Sequence, residues 1–187
     1  FMEHTLQHTQ EKKNTKLAMF LVTIGIVYGD IGTSPLYVMK AIVAGNGGSA
    51  GTSNHFCCDF GKNAVKGDAH RPKIISLSAN IEVLTALGND FCYAEVFSQQ
   101  LKNLMDDGDT VLLISASGNS PNIVEAAKYA KSRGGKVIGF SGFNGGKLKE
   151  LSDINVNIPS TSYEQIEDLH MMLTHIIVCY FKALGLE

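Results

Sequence analysis

Apolar residues fall along this chain in two kinds of stretch that alternate with each other. Short runs at Ala41–Ala44, Lys73–Leu77, Val111–Ile114, Lys136–Phe140 and Ile154–Ile158 have the pattern of buried parallel strands. Between them, apolar residues recur at helical spacing. Helices are predicted leading through His55 to Phe60, over Asn80–Leu87, over Tyr93–Met105, from Pro121 to Gly134-Gly135, over Lys147–Leu151 and over Tyr163–Leu184. Turns are expected at Gly45–Gly51, Gly88–Asp90 and Gly145-Gly146, and Pro159 closes the last strand. Strand alternating with helix predicts an α/β fold, a three-layer αβα sandwich whose parallel sheet is covered on both faces.

The N-terminal part reads differently. Residues 1–16 are polar, Leu17–Tyr28 is nearly all apolar, Gly29–Pro35 interrupts the run, and Leu36–Ala44 resumes it. Leu17–Tyr28 is shorter than the roughly 20 residues that cross a bilayer. It fits half of a broken membrane helix, or an apolar helix that packs on protein. No small-residue cleavage site follows it, so no signal peptide is expected. The stretch Gly25-Ile-Val-Tyr-Gly-Asp-Ile-Gly-Thr-Ser-Pro-Leu-Tyr37 resembles the opening of Kup-type potassium-uptake permeases, a likeness that covers residues 16–44. No later segment offers another long uncharged span, which excludes a working transporter and suggests a fusion. The expected division is a permease-like segment, 1–40, followed by a globular domain, 41–187.

Composition narrows the function classes. The formal net charge is −2 and no basic run is longer than Lys12-Lys13, so nucleic acid is not an expected partner. Cys57, Cys58, Cys92 and Cys179 show no CxxC or zinc-ribbon spacing. Lying in apolar patterns, they are expected as buried thiols of a reducing, cytoplasmic protein.

Candidate chemistry gathers where strands end. After Val111–Ile114 comes Ser115-Ala116-Ser117-Gly118-Asn119-Ser120, with Ser120 suited to cap a helix and Pro121 to its first position. Hydroxyls and backbone N–H groups at a helix N-terminus make a cup for an anion such as phosphate. Gly45-Asn46-Gly47-Gly48-Ser49 is a second such turn, at the end of another strand, where open α/β sheets bind ligands. His55 and Asp59 share one helix face, and Glu167 and His175 share another. Two imidazoles and two carboxylates suit a divalent metal such as zinc, or general acid–base work, or two ordinary half-buried helix faces.

Gly45-Asn-Gly-Gly-Ser-Ala…His55-Phe, Gly88-Asn-Asp-Phe91, Ser115-Ala-Ser-Gly-Asn-Ser120 and Ile166-Glu-Asp-Leu-His170…His175 occur in that order. Together they resemble the sugar isomerase (SIS) domain, and most closely the phosphoheptose isomerases, from about Ala41 to Ala183. The resemblance implies a five-stranded parallel sheet and a phosphorylated sugar substrate. It implies interconversion of sedoheptulose 7-phosphate and D-glycero-D-manno-heptose 7-phosphate through an enediol, by a homotetramer. Ser115, Ala116, Ser117 and Ser120 would hold the phosphate, with Asn46, Gly47, Gly48 and Ser49 nearby, and Asn89, Asp90 and Glu167 would meet the sugar. Asp59 and His175 would be catalytic, and His55, Asp59, Glu167 and His175 would bind zinc. Asp59 stands where the family carries Glu and Glu167 where it carries Gln. A non-catalytic SIS module binding a phosphosugar or a protein, or a membrane-tethered fusion product, are the competing readings.

Overall fold

Thr110–Ser115 (β3) is the middle strand of the sheet, and all of its residues are buried. The computed structural model describes residues 40–64 and 71–184. The first elements in chain order are β1 (Lys40–Gly45), α1 (Gly48–Asn63), β2 (Lys73–Ser76) and α2 (Ile81–Asp90). A 3-10 turn (Tyr93–Glu95) and α3 (Val96–Leu104) lead into β3. Then come α4 (Pro121–Ser132), β4 (Lys136–Gly142), α5 (Gly146–Leu151), β5 (Ile154–Ile158) and α6 (Tyr163–Leu184). The strand order is β2-β1-β3-β4-β5 and every neighbouring pair is parallel. The described residues therefore form the expected three-layer sandwich around five parallel strands. The apolar helix expected over Leu17–Tyr28 and the whole permease-like segment lie outside the described residues.

Alternation along the buried strands sorts the core into two halves. Ile42, Ala44, Val111, Leu113 and Val137 join Val96, Phe97 and Leu101 of α3 and Ile123, Ala127 and Ala130 of α4 in one cluster. On α1 and α6, Phe60 meets Phe181 with ring centres 5.2 Å apart. Phe140 of β4 meets His170 of α6 at 5.7 Å. Each such large side chain, fully buried, contributes about 1.5–3 kcal/mol. The order of the strands fixes where a ligand can sit. From β1 the chain moves outward to β2, then returns to β3 on the other side and continues to β4 and β5. The turns after β1 and β3 thus part in opposite directions, leaving a crevice at the carboxyl ends of these two strands.

Several local expectations change. The Gly45–Gly51 turn is shorter: Gly47, with φ of 53°, makes the bend and the helix is already formed at Gly48. Gly88-Asn89-Asp90 is not a turn but the last stretch of α2, since Phe91 N–H still donates to the Leu87 carbonyl. The helix expected over Tyr93–Met105 is a 3-10 turn followed by α3, and Met105 is its extended C-cap. The cysteines are not buried: Cys57 is half-buried and Cys58, Cys92 and Cys179 are exposed. Apolar neighbours in sequence mislead at Cys57, Cys58 and Cys179, because neighbouring helix positions face different ways. Burial still pushes the Cys57 thiol up to about 12, which keeps it un-ionised.

Candidate active site

The serine turn is built by β3 and pinned by α5. Ser115 is the last residue of β3 and is buried; its Oγ accepts from the Gly118 N–H at 3.2 Å and lies 3.3 Å from Ser120 Oγ. Ser117 Oγ accepts from the Asn119 N–H at 3.2 Å. Gly118 has φ of 64°, and a Cβ there would overlap the Gly145 carbonyl, so only glycine lets the turn close against the start of α5. The Leu148 N–H donates to the Gly118 carbonyl (2.9 Å) and the Lys147 N–H to Asn119 Oδ1 (3.1 Å), which holds the turn in place. Ser120 precedes α4 as expected, but its side chain makes no capping bond. Its carbonyl instead accepts from the Ile123 and Val124 N–H groups, leaving the hydroxyl beside Ser115.

These residues surround a cavity of about 170 Å³. Ser115, Ala116, Ser117 and Ser120 line it from the β3 turn, Asn46 and Ser49 from the β1 side, and Tyr163 and Glu167 from α6. The two turns singled out in the sequence therefore meet at one pocket. Gly47 and Gly48 are not among its lining residues, and a Cβ on Gly48 would collide with the Glu167 carboxylate. Hydroxyls and amides suit an anionic or polyhydroxyl ligand, while Glu167 adds a negative charge at one side. Asn89 and Asp90 are not among the cavity's lining residues. They are exposed at the end of α2, where Asn89 Nδ2 donates to Asp90 Oδ1 at 2.9 Å.

Further along the seam between α1 and α6, three of the four candidate metal ligands converge. His55 Nε2 lies 2.9 Å from His175 Nε2, and the rings meet edge to face with centres 5.0 Å apart. Asp59 Oδ2 is 3.2 Å from His55 Nε2 and 3.8 Å from His175 Nε2. All three offer a ligand atom within 4.8 Å of one another. Two imidazole nitrogens and one carboxylate oxygen at such spacing fit a tetrahedral divalent ion that keeps a further position open. Glu167 lies outside this group and lines the serine pocket instead. It sits eight residues before His175, about 12 Å along the helix at 1.5 Å per residue.

Sequence reasoning missed Tyr163, Tyr93 and Asn122. Tyr163 lines the cavity, and its ring centre lies 5.1 Å from that of Phe143. Asn122 is 1% exposed and bonds to Asn46, and Tyr93 bonds to the same amide. Asn122 shows only as a polar residue after Pro121 at a helix start, where solvent exposure is the usual expectation. His170 is fully buried and bonds through Nε2 to the Ser141 carbonyl at 3.1 Å.

Comparison with known proteins bears on the family and the fold. The SIS domain profile matches residues 39–142. The profile of the K+ potassium transporter integral membrane domain matches residues 17–57. Where the two overlap, the chain forms β1 and the first part of α1. Among the described residues, no helix is long and apolar enough to cross a membrane. The chain is 39% identical over 138 residues to the phosphoheptose isomerase of Aliarcobacter butzleri, covering 74% of this chain and 72% of the relative. A phosphoheptose isomerase structure from Neisseria gonorrhoeae superposes with a TM-score of 0.75 at 27% identity, covering 97% of this chain and 98% of that one. One from Francisella tularensis superposes with a TM-score of 0.77 at 25% identity, covering 97% and 94%.

Proposed function

The chain belongs to the SIS domain family and, within it, to the phosphoheptose isomerases, and from that premise we propose how it works. It is an isomerase of phosphorylated sugars, and the proposed reaction interconverts sedoheptulose 7-phosphate and D-glycero-D-manno-heptose 7-phosphate. The observation that carries the substrate's length is the register of α1 against α6. The Gly48–Glu167 contact abuts the serine pocket, and the His55–His175 contact follows seven or eight residues later on both helices. At 1.5 Å per residue the two stations lie about 10–12 Å apart along the seam. An open seven-carbon chain with its phosphate on the last carbon spans a comparable length. Its phosphate rests among Ser115, Ser117 and Ser120, with Asn46 and Ser49 on the flank, and C1 and C2 reach toward Asp59 and His175. Asn89 and Asp90 approach the sugar from α2.

Aldose–ketose exchange needs one proton moved between neighbouring carbons and one between their oxygens. In this scheme the Asp59 carboxylate takes the proton from C2 of the aldose, and the C–H electron pair becomes the double bond of the enediol. His175 gives a proton to the carbonyl oxygen and takes one from the neighbouring hydroxyl, so no redox cofactor is consumed. Asp59 then returns its proton to C1. Where zinc is held by His55, Asp59 and His175, it would supply a Lewis acid for the sugar oxygens in place of the proton from His175.

The proposed enzyme is cytoplasmic, its SIS domain is residues 41–187 after a permease-like segment, and it works as a homotetramer. Light scattering on the purified full chain tests the assembly. A panel of heptose and hexose phosphates tests the substrate: turnover of the seven-carbon ketose above the six-carbon ones supports the length argument. Equal turnover of both refutes it.

A further inference from the structure

If Asn46 contacts the sugar, what holds Asn46 matters. That condition rests on the function proposed above. Asn46 follows β1 and is half-buried, with its side chain in the pocket wall. Its amide forms a reciprocal pair with Asn122 of α4: Asn122 Nδ2 donates to Asn46 Oδ1 at 2.9 Å, and Asn46 Nδ2 donates to Asn122 Oδ1 at 2.9 Å. The Tyr93 hydroxyl, from the 3-10 turn, donates to the same Asn46 Oδ1 at 3.0 Å. Both lone pairs of the Asn46 carbonyl are therefore in use, and one of its amide hydrogens is spent on Asn122. One N–H is left to face a ligand.

The bonds also span the crevice. Asn46 belongs to the β1 side and Asn122 to the helix that follows β3, so the pair ties together the two turns that part at the β1–β3 junction. Asn122 is 1% exposed, where an unpaired amide would be costly, so its hold on Asn46 is strong. Neither Asn122 nor Tyr93 lines the cavity.

We propose that Asn122 and Tyr93 are positioning residues for the phosphosugar: they clamp the Asn46 amide across the crevice so that its remaining N–H meets an acceptor oxygen of the ligand. The clamp presents a donor, which suits a hydroxyl lone pair or a phosphate oxygen, and it pre-sets the width of the pocket before the sugar arrives.

Tyr93→Phe in the full chain is the cleanest probe, because the ring is 63% exposed and only a hydroxyl is lost. KM and kcat for sedoheptulose 7-phosphate are measured for wild type, Tyr93→Phe, Asn46→Ala and the double variant, with thermal midpoints alongside. Tyr93→Phe is expected to raise KM about three- to tenfold, the scale of one hydrogen bond, with kcat changed less than about twofold and the midpoint unmoved. In the Asn46→Ala background the same change should have no further effect, because Tyr93 acts through Asn46. Asn122→Asp, which keeps the acceptor but removes the donor, should raise KM in the same sense. An unchanged KM in Tyr93→Phe, or a loss that persists in full without Asn46, overturns the clamp while leaving the isomerase reading intact. A wild-type protein that neither binds nor turns over the sugar phosphate overturns both.

Discussion

At the scale of single residues, the site depends on a few polar atoms whose partners set what they can still bind. Ser115 and Ser117 each accept one backbone N–H, and Ser115 also pairs with the Ser120 hydroxyl, so the Ser117 hydrogen and one hydrogen of the Ser115–Ser120 pair remain available to an anion. A bond to a charged group is worth about 1.5–3 kcal/mol, so the Ser115→Ala/Ser117→Ala double variant should weaken sugar-phosphate binding by at least a hundredfold. Titration calorimetry checks this, and the far-UV spectrum should stay that of the wild type. Glu167 shares that pocket and stays outside the His55–Asp59–His175 group. Glu167→Gln removes a charge that repels phosphate, so KM should fall severalfold while metal content, read by atomic emission, is unchanged. Asp59 stands where a residue one methylene longer is expected from the family resemblance. Misplacement by about 1 Å can cost on the order of a hundredfold in rate, so Asp59→Glu should raise kcat. A lower kcat would mean that the site is already built around the shorter side chain. Within the candidate site, the serines and Asn46 are legible in sequence from their strand-end turns and His55 with Asp59 from helix spacing, whereas the joining of His175 to them is implied by the family resemblance alone. Asn122 and Tyr93 are not legible, since their importance comes from one amide brought in from a distant strand end.

At the scale of elements, α1 and α6 together make the site, and their seam is held by aromatic packing and by what α6 buries against the sheet. Phe60 packs on Phe56 and Phe181, one turn past His55. His170 is fully buried under the sheet with its Nδ1 unpartnered among the described residues. Burial holds its imidazole below the ordinary histidine range, and the bond to the Ser141 carbonyl only partly opposes this. A depressed histidine stays neutral in the fold while the unfolded chain takes up a proton below about pH 6.5. Stability from this group is thus present above that pH and is lost as pH falls toward the folded-state value. The urea midpoint should drop between pH 7.5 and pH 5.5, and His170→Gln should flatten that slope even if it lowers stability throughout. A slope identical in both proteins would remove His170 as its source. Element type followed from apolar periodicity nearly everywhere, and the strand Ile154–Ile158 and the helix Tyr163–Leu184 have the expected bounds. Boundaries slipped where glycines mark a turn in sequence but continue a helix in space, as at Gly48 and Gly88.

At the scale of the whole molecule, strand order does what no single motif can. Placing β1 beside β3 opens the crevice between their turns and brings the glycine-rich and serine-rich loops to one pocket. The alternation of strands and helices was readable from the chain, whereas the β2-β1-β3-β4-β5 order depends on long-range packing that periodicity does not encode. The metal-like group is a similar case, because the pairing of α1 with α6 decides which of four candidate ligands converge. The assignment of this fold to an enediol isomerase rests on proton transfer at C1 and C2, and proton NMR in D2O observes that directly. The 187-residue chain incubated with sedoheptulose 7-phosphate should form the aldose 7-phosphate and incorporate solvent deuterium at the reacting carbon, and Asp59→Asn should abolish both. Tight binding of the ketose with neither aldose nor deuterium in the wild-type reaction would contradict the isomerase and leave a sugar-phosphate-binding module in its place.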